Sequence, residues 1–184
     1  MNILIVDNGS LYNDNLISFL KIIKSQFTVL PYFKVIRLID KFDSFILTGR
    51  QHNNKLMNII NSKIINHCIS CDKHLLGICY GAEIMALSLG GTIIKMDSIN
   101  RGITAMKIIK TNLICNHNSY RIFKSHRYRI SKVGRSISCL AKSQDCFYEL
   151  IQYSNHNIFG TQFHPEMTLD GLTILKSFLS LDSF

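Results

Sequence analysis

Apolar and polar positions follow two rhythms along this chain, and the rhythm changes near the middle. The first half reads as strands alternating with helices. "NILIV" (2–6) is an apolar run of strand length, and the turn "DNGS" after it places Ser10 to cap a helix. Leu16, Phe19, Leu20 and Ile23 then recur at i, i+3, i+4 and i+7, one face of a helix. "FTVL" (27–30) and "SFILTG" (44–49) read as the second and third strands. Leu56, Ile59, Ile60, Lys63 and Ile64 mark another helix. "HLLGIC" (74–79) is a fourth strand, and "GAEIMALSLG" (81–90) is a helix stopped by Gly90 and Gly91. Strands alternating with helices predict a parallel sheet covered on both faces.

The second half is a succession of short β-like runs: "GGTIIK", "TAMKIIK", "NLICN", "YRIF", "SISCLA", "CFYELIQY" and "NIFGTQF". They predict antiparallel or mixed strands added to the parallel core. Leu172, Leu175, Phe178 and Leu179 give a last amphipathic helix, "LDGLTILKSFLSL". The expected fold is therefore α/β: an open, mostly parallel sheet with helices on both faces and added antiparallel strands. No repeat, linker or low-complexity tract interrupts the 184 residues, so residues 1–184 are read as a single domain.

Composition narrows the picture. The chain is 47% hydrophobic, enough for a full core, yet no apolar run reaches the roughly eighteen residues of a membrane span. Its first residues reach Asp7 too early for a signal peptide, and a cytoplasmic location is expected. The six cysteines are scattered in a chain too large to need disulfide staples, which fits reduced thiols. "HCISCDKH" (67–74) holds a C-x-x-C flanked by histidines, but a structural zinc site draws on a second ligand pair and none is evident, so no metal is expected. The net charge of +9 is spread along the chain, densest from Arg121 to Arg135, with no nucleic-acid motif beside it. A solvated basic face fits better than a nucleic-acid partner.

The chemistry gathers at "GICYG". A strand that ends in a nucleophile and turns sharply into a helix is a nucleophile elbow. Gly77 and Gly81 let such a turn avoid side-chain clashes. Cys79 would sit at a helix N-terminus, whose positive end favours thiolate, and the Tyr80 amide could point at a developing oxyanion. By periodicity alone Cys79 is an inert core thiol; the two glycines favour a nucleophile. A cysteine nucleophile needs a base, and the base needs an orienter. "FHPE" offers His164 and Glu166, separated by Pro165, and extended geometry would put both on one side of the chain.

"GICYG" followed downstream by "QFHPE" resembles the class I glutamine amidotransferases, a flavodoxin-like α/β family with a Cys-His-Glu triad. The resemblance covers nearly the whole chain. Within the family, "ILIVDNGSLY", "GICYGAEIMALSLGG", "SHRYRI" and "FHPEMTLDGLTILKSFL" are most similar to the glutaminase part of GMP synthases. The resemblance implies hydrolysis of glutamine to glutamate and ammonia through a thioester on Cys79, with His164 and Glu166 completing the triad. It implies an oxyanion hole from the amides of Gly49 and Tyr80, a substrate wall that includes Glu83, Ser125, His126 and Arg127, and no cofactor. Ammonia would pass to a separate ATP-dependent synthetase subunit, since the sequence ends just after the last glutaminase helix.

Three positions depart from the family pattern. Glu83 stands where Gln is usual, one helical turn from Cys79, and a carboxylate there would raise the thiol pKa. Arg50 replaces the second glycine of the oxyanion strand, where it could reshape the loop or pair with Glu83. Arg127 and Tyr128 replace Gly and Asp. Besides an active glutaminase subunit, two readings stay open: a weak or inactive regulatory relative, and an amide hydrolase for another γ-glutamyl compound.

Overall fold

The structure, a computed structural model, describes residues 2–181; Met1 and residues 182–184 lie outside the described residues. Five strands run parallel: β1 (Ile3–Asp7), β2 (Phe27–Pro31), β3 (Ser44–Leu47), β4 (His74–Ile78) and β9 (Ile158–Thr161). Four more, β5 (Thr92–Ile108), β6 (Ser119–Lys132), β7 (Ile137–Lys142) and β8 (Leu150–Tyr153), pair antiparallel. All nine form one sheet in the order β2-β1-β3-β4-β9-β8-β7-β5-β6.

The two-residue period of the strands sorts the core. Ile3 and Ile5 face one side, where they meet Leu16 and Leu20 of α1 (Asn13–Ile22) and Ile174, Leu175 and Phe178 of α4 (Leu169–Leu179). Leu4 and Val6 face the other, against Met57, Ile60 and Ile64 of α2 (Lys55–Ser70) and Ala82, Met85 and Ala86 of α3 (Tyr80–Ser88). Helices thus cover both faces, as the alternation predicts. α3 has only nine residues, too few to persist alone in water. It is stabilised by packing instead: every residue from Tyr80 to Ala86 is buried.

Several expected elements differ in detail. "GGTIIK" and "TAMKIIK" belong to one 17-residue strand, β5, whose pairing with β6 slips between Lys95 and Asn100. "YRIF" is part of a longer strand, β6, which runs on through "SHRYRI". "NLICN" is a bent loop, because the Asn112 side chain accepts from the Ile114 amide (3.1 Å) and Tyr120 Oη accepts from the amides of Asn116 and His117. Such local bonds compete with a strand ladder. "NIFGTQF" supplies β9, the seam of the sheet: it pairs parallel with β4 and antiparallel with β8, and so joins the core to the added strands. Ser10 does not cap α1; its hydroxyl accepts from the Tyr12 amide (3.2 Å) before the helix begins, and Tyr12 holds the cap position without a side-chain bond.

The antiparallel half curls back over the core. β6 is the last strand of the sheet and β9 its middle, yet Phe123 of β6 bridges His164, with the His164 amide donating to the Phe123 carbonyl at 2.9 Å. A buried charge cluster ties the curl down. The Lys124 ammonium, 1% exposed, contacts Asp145, the Glu149 carboxylate (3.2 Å) and the Ser143 hydroxyl (3.2 Å). Glu149 in turn accepts the Gln162 amide on its main-chain carbonyl at 2.8 Å. β6 is thereby brought over the end of β4, where the thiol emerges.

The elbow is fitted with no spare room. A Cβ on Gly81 would lie 2.3 Å from the Leu47 carbonyl oxygen, and one on Gly77 would lie 2.5 Å from the Gly81 backbone. Neither contact can be relieved by turning a side chain. Gly81→Ala is therefore expected to lower unfolding free energy by at least about 2 kcal/mol, read as a fall in the urea midpoint with an unchanged slope.

Candidate active site

Cys79 joins β4 to α3 with φ 51° and ψ −100°. A non-glycine residue in this region is strained by about 1–3 kcal/mol and persists only where its surroundings over-determine it. They do here. The Cys79 amide donates to the Thr161 carbonyl of β9 at 2.7 Å, and its carbonyl accepts from the Glu83 amide at 3.0 Å. Gly77 and Gly81 allow the close backbone contact beneath the turn. The result lifts the sulfur to the N-terminus of α3, 7% exposed.

His164 follows β9 and lies beside Cys79. Its Nδ1 bonds the Glu166 carboxylate at 2.8 Å, with both side chains 3% exposed. The route differs from the extended one the sequence predicts. His164 itself is extended, but Pro165–Met167 forms a 3₁₀ turn that folds Glu166 back under the imidazole. Pro165 fits the first position of such a turn, where no amide is needed. Helix α4 presses on the turn: a Cβ on Gly171 would sit 2.2 Å from the Pro165 carbonyl oxygen. The ring is walled by Tyr12, edge-on at 4.5 Å between centroids, and by Phe123.

Burial pushes the Cys79 thiol pKa up; His164 pulls it down, while Glu83 and Glu166 add to the rise. Burial alone would lower His164, but Cys79 and Glu166 outweigh it and hold the imidazole well above its ordinary value. The proton is thus favoured on the imidazole when the sulfur is charged, as an acid–base pair requires.

Gly49 lies directly under this pair. A Cβ there would meet His164 Cε1 at 3.1 Å, so the glycine gives the imidazole room rather than supplying a left-handed turn. Its loop is pinned by a buried pair: Asn8 and Asn61 exchange side-chain amide bonds at 3.1 and 2.8 Å, and Asn8 also donates to the Thr48 carbonyl. Among the described residues, neither the Gly49 nor the Tyr80 amide donates to another main-chain group.

Arg50 does not take up a left-handed backbone, so the loop holds an arginine without strain. Nor does it pair with Glu83; no ion pair joins them among the described residues. Its guanidinium lies 4.1 Å over the Tyr80 ring, and Nη1 donates to Asn53 and to Asn58 (3.1 Å), which also accepts the Tyr80 hydroxyl (2.8 Å).

A cleft of about 430 Å³ opens over Cys79, lined among others by Arg50, Tyr80, Glu83, His126, Arg127 and Tyr128. It brings together three of the four expected wall residues. Ser125, half-buried between Phe123 and Arg127, is not among its lining residues. His126 donates Nδ1–H to the Tyr128 carbonyl at 2.8 Å, which leaves Nε2 a buried acceptor with no protein partner. Burial lowers its pKa to about 4, so the ring is neutral. Glu83 is 4% exposed, and burial raises its pKa to about 7 against the opposing pull of Gln162, Arg50 and His164. Its carboxyl accepts from the Gln162 amide at 3.2 Å, and Gln162 accepts from the Ile130 amide at 2.9 Å. Gln162 therefore ties Glu83 to β6, a link the sequence shows only as one letter before "FHPE". Among the described residues no group of three or more His, Cys, Asp or Glu side chains could hold a metal ion, and no helix is long and apolar enough to cross a membrane.

Comparison with known proteins agrees with this geometry. The chain is 27% identical to a glutamine-hydrolyzing GMP synthase subunit from Saccharolobus solfataricus, over 98% of both chains. It is 28% identical to the corresponding subunit from Methanocaldococcus jannaschii, over 96% of this chain and 95% of that one. A crystal structure of a glutamine amidotransferase from Thermotoga maritima shares the fold, with TM-score 0.82 at 15% identity over 98% of this chain and 96% of that one. The family profile "Glutamine amidotransferase class-I" matches residues 4–180. An elbow cysteine faced by a carboxylate-bound histidine, in a chain matched from its first strand to its last helix, leaves one assignment: this protein belongs to the class I glutamine amidotransferases and is an enzyme of that kind.

Proposed function

We propose that Cys79, His164 and Glu166 form the catalytic triad of a glutaminase. The observation that carries this is the strained elbow holding Cys79 beside an imidazole whose Nδ1 is bound to Glu166 at 2.8 Å. With Nδ1–H committed to the carboxylate, Nε2 is the nitrogen left to take the thiol proton. The sulfur attacks the side-chain amide carbon of glutamine, and the amides of Tyr80 and Gly49 stabilise the oxyanion. The imidazolium then protonates the departing nitrogen, and ammonia leaves. The thioester is cleaved by water that His164 deprotonates, releasing glutamate and restoring the thiol. Glu83, His126 and Arg127 line the substrate side of the cleft.

The ammonia is assigned to GMP synthesis on a separate ATP-dependent synthetase subunit. The support is that the chain spans nearly all of several relatives, each named as one subunit of a glutamine-hydrolyzing GMP synthase. Adding this chain to such a synthetase, with free ammonia withheld, is expected to make GMP formation depend on glutamine. No stimulation beyond the synthetase alone would refute the assignment.

Glu83 makes this site pH-sensitive in a way glutamine would not. Below about pH 7 its carboxyl is protonated and carries both a donor and an acceptor, as an amide does. Above that pH it is a carboxylate one helical turn from the sulfur, and it opposes the thiolate. The rate ratio of Glu83→Gln to the unaltered enzyme is expected to be near one at pH 6. By pH 8 it should rise severalfold, because the carboxylate then opposes the thiolate in the unaltered enzyme alone. A ratio that stays flat across this range would contradict the assigned role.

A further inference from the structure

The cleft over Cys79 has two walls of opposite character. Glu83 and the bare Nε2 of His126 are acceptors; Arg50 and Arg127 are cations. Arg127 is solvent-exposed on β6, whereas Arg50 is half-buried and held in place. Its guanidinium is stacked on Tyr80 at 4.1 Å, and its Nη1 alone is engaged, by Asn53 and Asn58. Among the described residues Nε and Nη2 have no hydrogen-bond partner, and no carboxylate lies within ion-pair distance. A planar guanidinium with a free edge, fixed at the rim of a substrate cleft, matches a planar oxyanion such as a carboxylate, which can accept two parallel bonds from it.

An amino-acid substrate whose side-chain amide reaches Cys79 carries its α-carboxylate and α-ammonium at the far end of the cleft. We propose that Arg50 is a specificity-determining residue that receives the substrate α-carboxylate through its free edge, opposite an α-ammonium taken by the Glu83–His126 wall. The inference rests on the glutaminase reading, because it takes the substrate to be glutamine. It also accounts for the absence of an Arg50–Glu83 pair: the two side chains would divide a zwitterion between them instead of neutralising each other. The Asn53–Asn58–Tyr80 clamp keeps the fork in place before substrate arrives, which lowers the ordering cost of binding.

A merely structural arginine would affect all ligands alike, so the test varies the ligand. Glutamine and its α-carboxamide analogue, glutaminamide, are titrated calorimetrically into Cys79→Ser protein with Arg50 intact, replaced by Ala, or replaced by Lys. Charge-assisted bonds of this kind account for roughly tenfold to hundredfold in affinity. Arg50→Ala is expected to weaken glutamine binding by at least about tenfold and glutaminamide binding by less than about twofold, with Arg50→Lys intermediate for glutamine. Equal losses for both ligands, or no loss for glutamine, would overturn the inference. Steady-state hydrolysis by protein with Cys79 intact separates the two levels. Normal turnover without carboxylate discrimination refutes the role of Arg50 alone. Discrimination without turnover refutes the glutaminase reading alone, and binding of neither ligand refutes both.

Discussion

The backbone of Cys79 is the constraint on which the site depends. At φ 51° the residue occupies a conformation that relaxes in an unconstrained chain. Three separate parts of the fold hold it there. β9 accepts its amide, α3 uses its carbonyl as the first acceptor of the helix, and β3 presses its Leu47 carbonyl against Gly81. Two of the three holds come from neighbouring strands of the parallel sheet. The thiol is therefore a product of the whole core rather than of the local turn.

Two buried glutamates near this thiol show how environment divides one side chain into two functions. Glu166 is bound to an imidazole that charges readily, so its carboxylate has a cationic partner. Glu83 meets the neutral amide of Gln162, and burial holds its pKa near 7. At Glu83 burial disfavours the charge, and the Gln162 amide together with the more distant Arg50 and His164 offsets only part of that cost. A closer Arg50 would be a cationic partner for Glu83, yet the stack on Tyr80 and the two asparagines keep its guanidinium away. The cleft thus retains separate acidic and basic walls that a zwitterionic ligand can join.

Much of this was legible in the sequence because it follows simple periods. The apolar runs at 3–6, 45–47 and 75–78, alternating with helical spacing, are enough for a parallel sheet with helices on both faces. "GICYG" and "FHPE" point to the thiol, the imidazole and the carboxylate. What was not legible depends on long-range closure. The 17-residue β5 reads as two strands because its exposed middle is polar and its pairing slips. Asn112 turns a β-like segment into a loop by a bond that periodicity does not register. His164 and Glu166 meet through a 3₁₀ turn braced by Gly171, not along an extended strand. Gln162, Tyr12 and the Asn8–Asn61 pair are placed by contacts between elements distant in the chain, which no local pattern registers.

The central claim is that the fold activates one thiol out of six. The contrast is sharp, because Cys71 is exposed and Cys139 half-buried, while Cys79 is almost fully enclosed. A reagent that responded to access alone would therefore choose the wrong cysteine. The most direct measurement is peptide mass spectrometry after brief treatment with a glutamine-shaped diazoketone, with and without competing glutamine. The account predicts a single adduct on Cys79 that glutamine suppresses. Adducts on Cys71 or Cys139 instead, or labelling of Cys79 that glutamine does not slow, would contradict it.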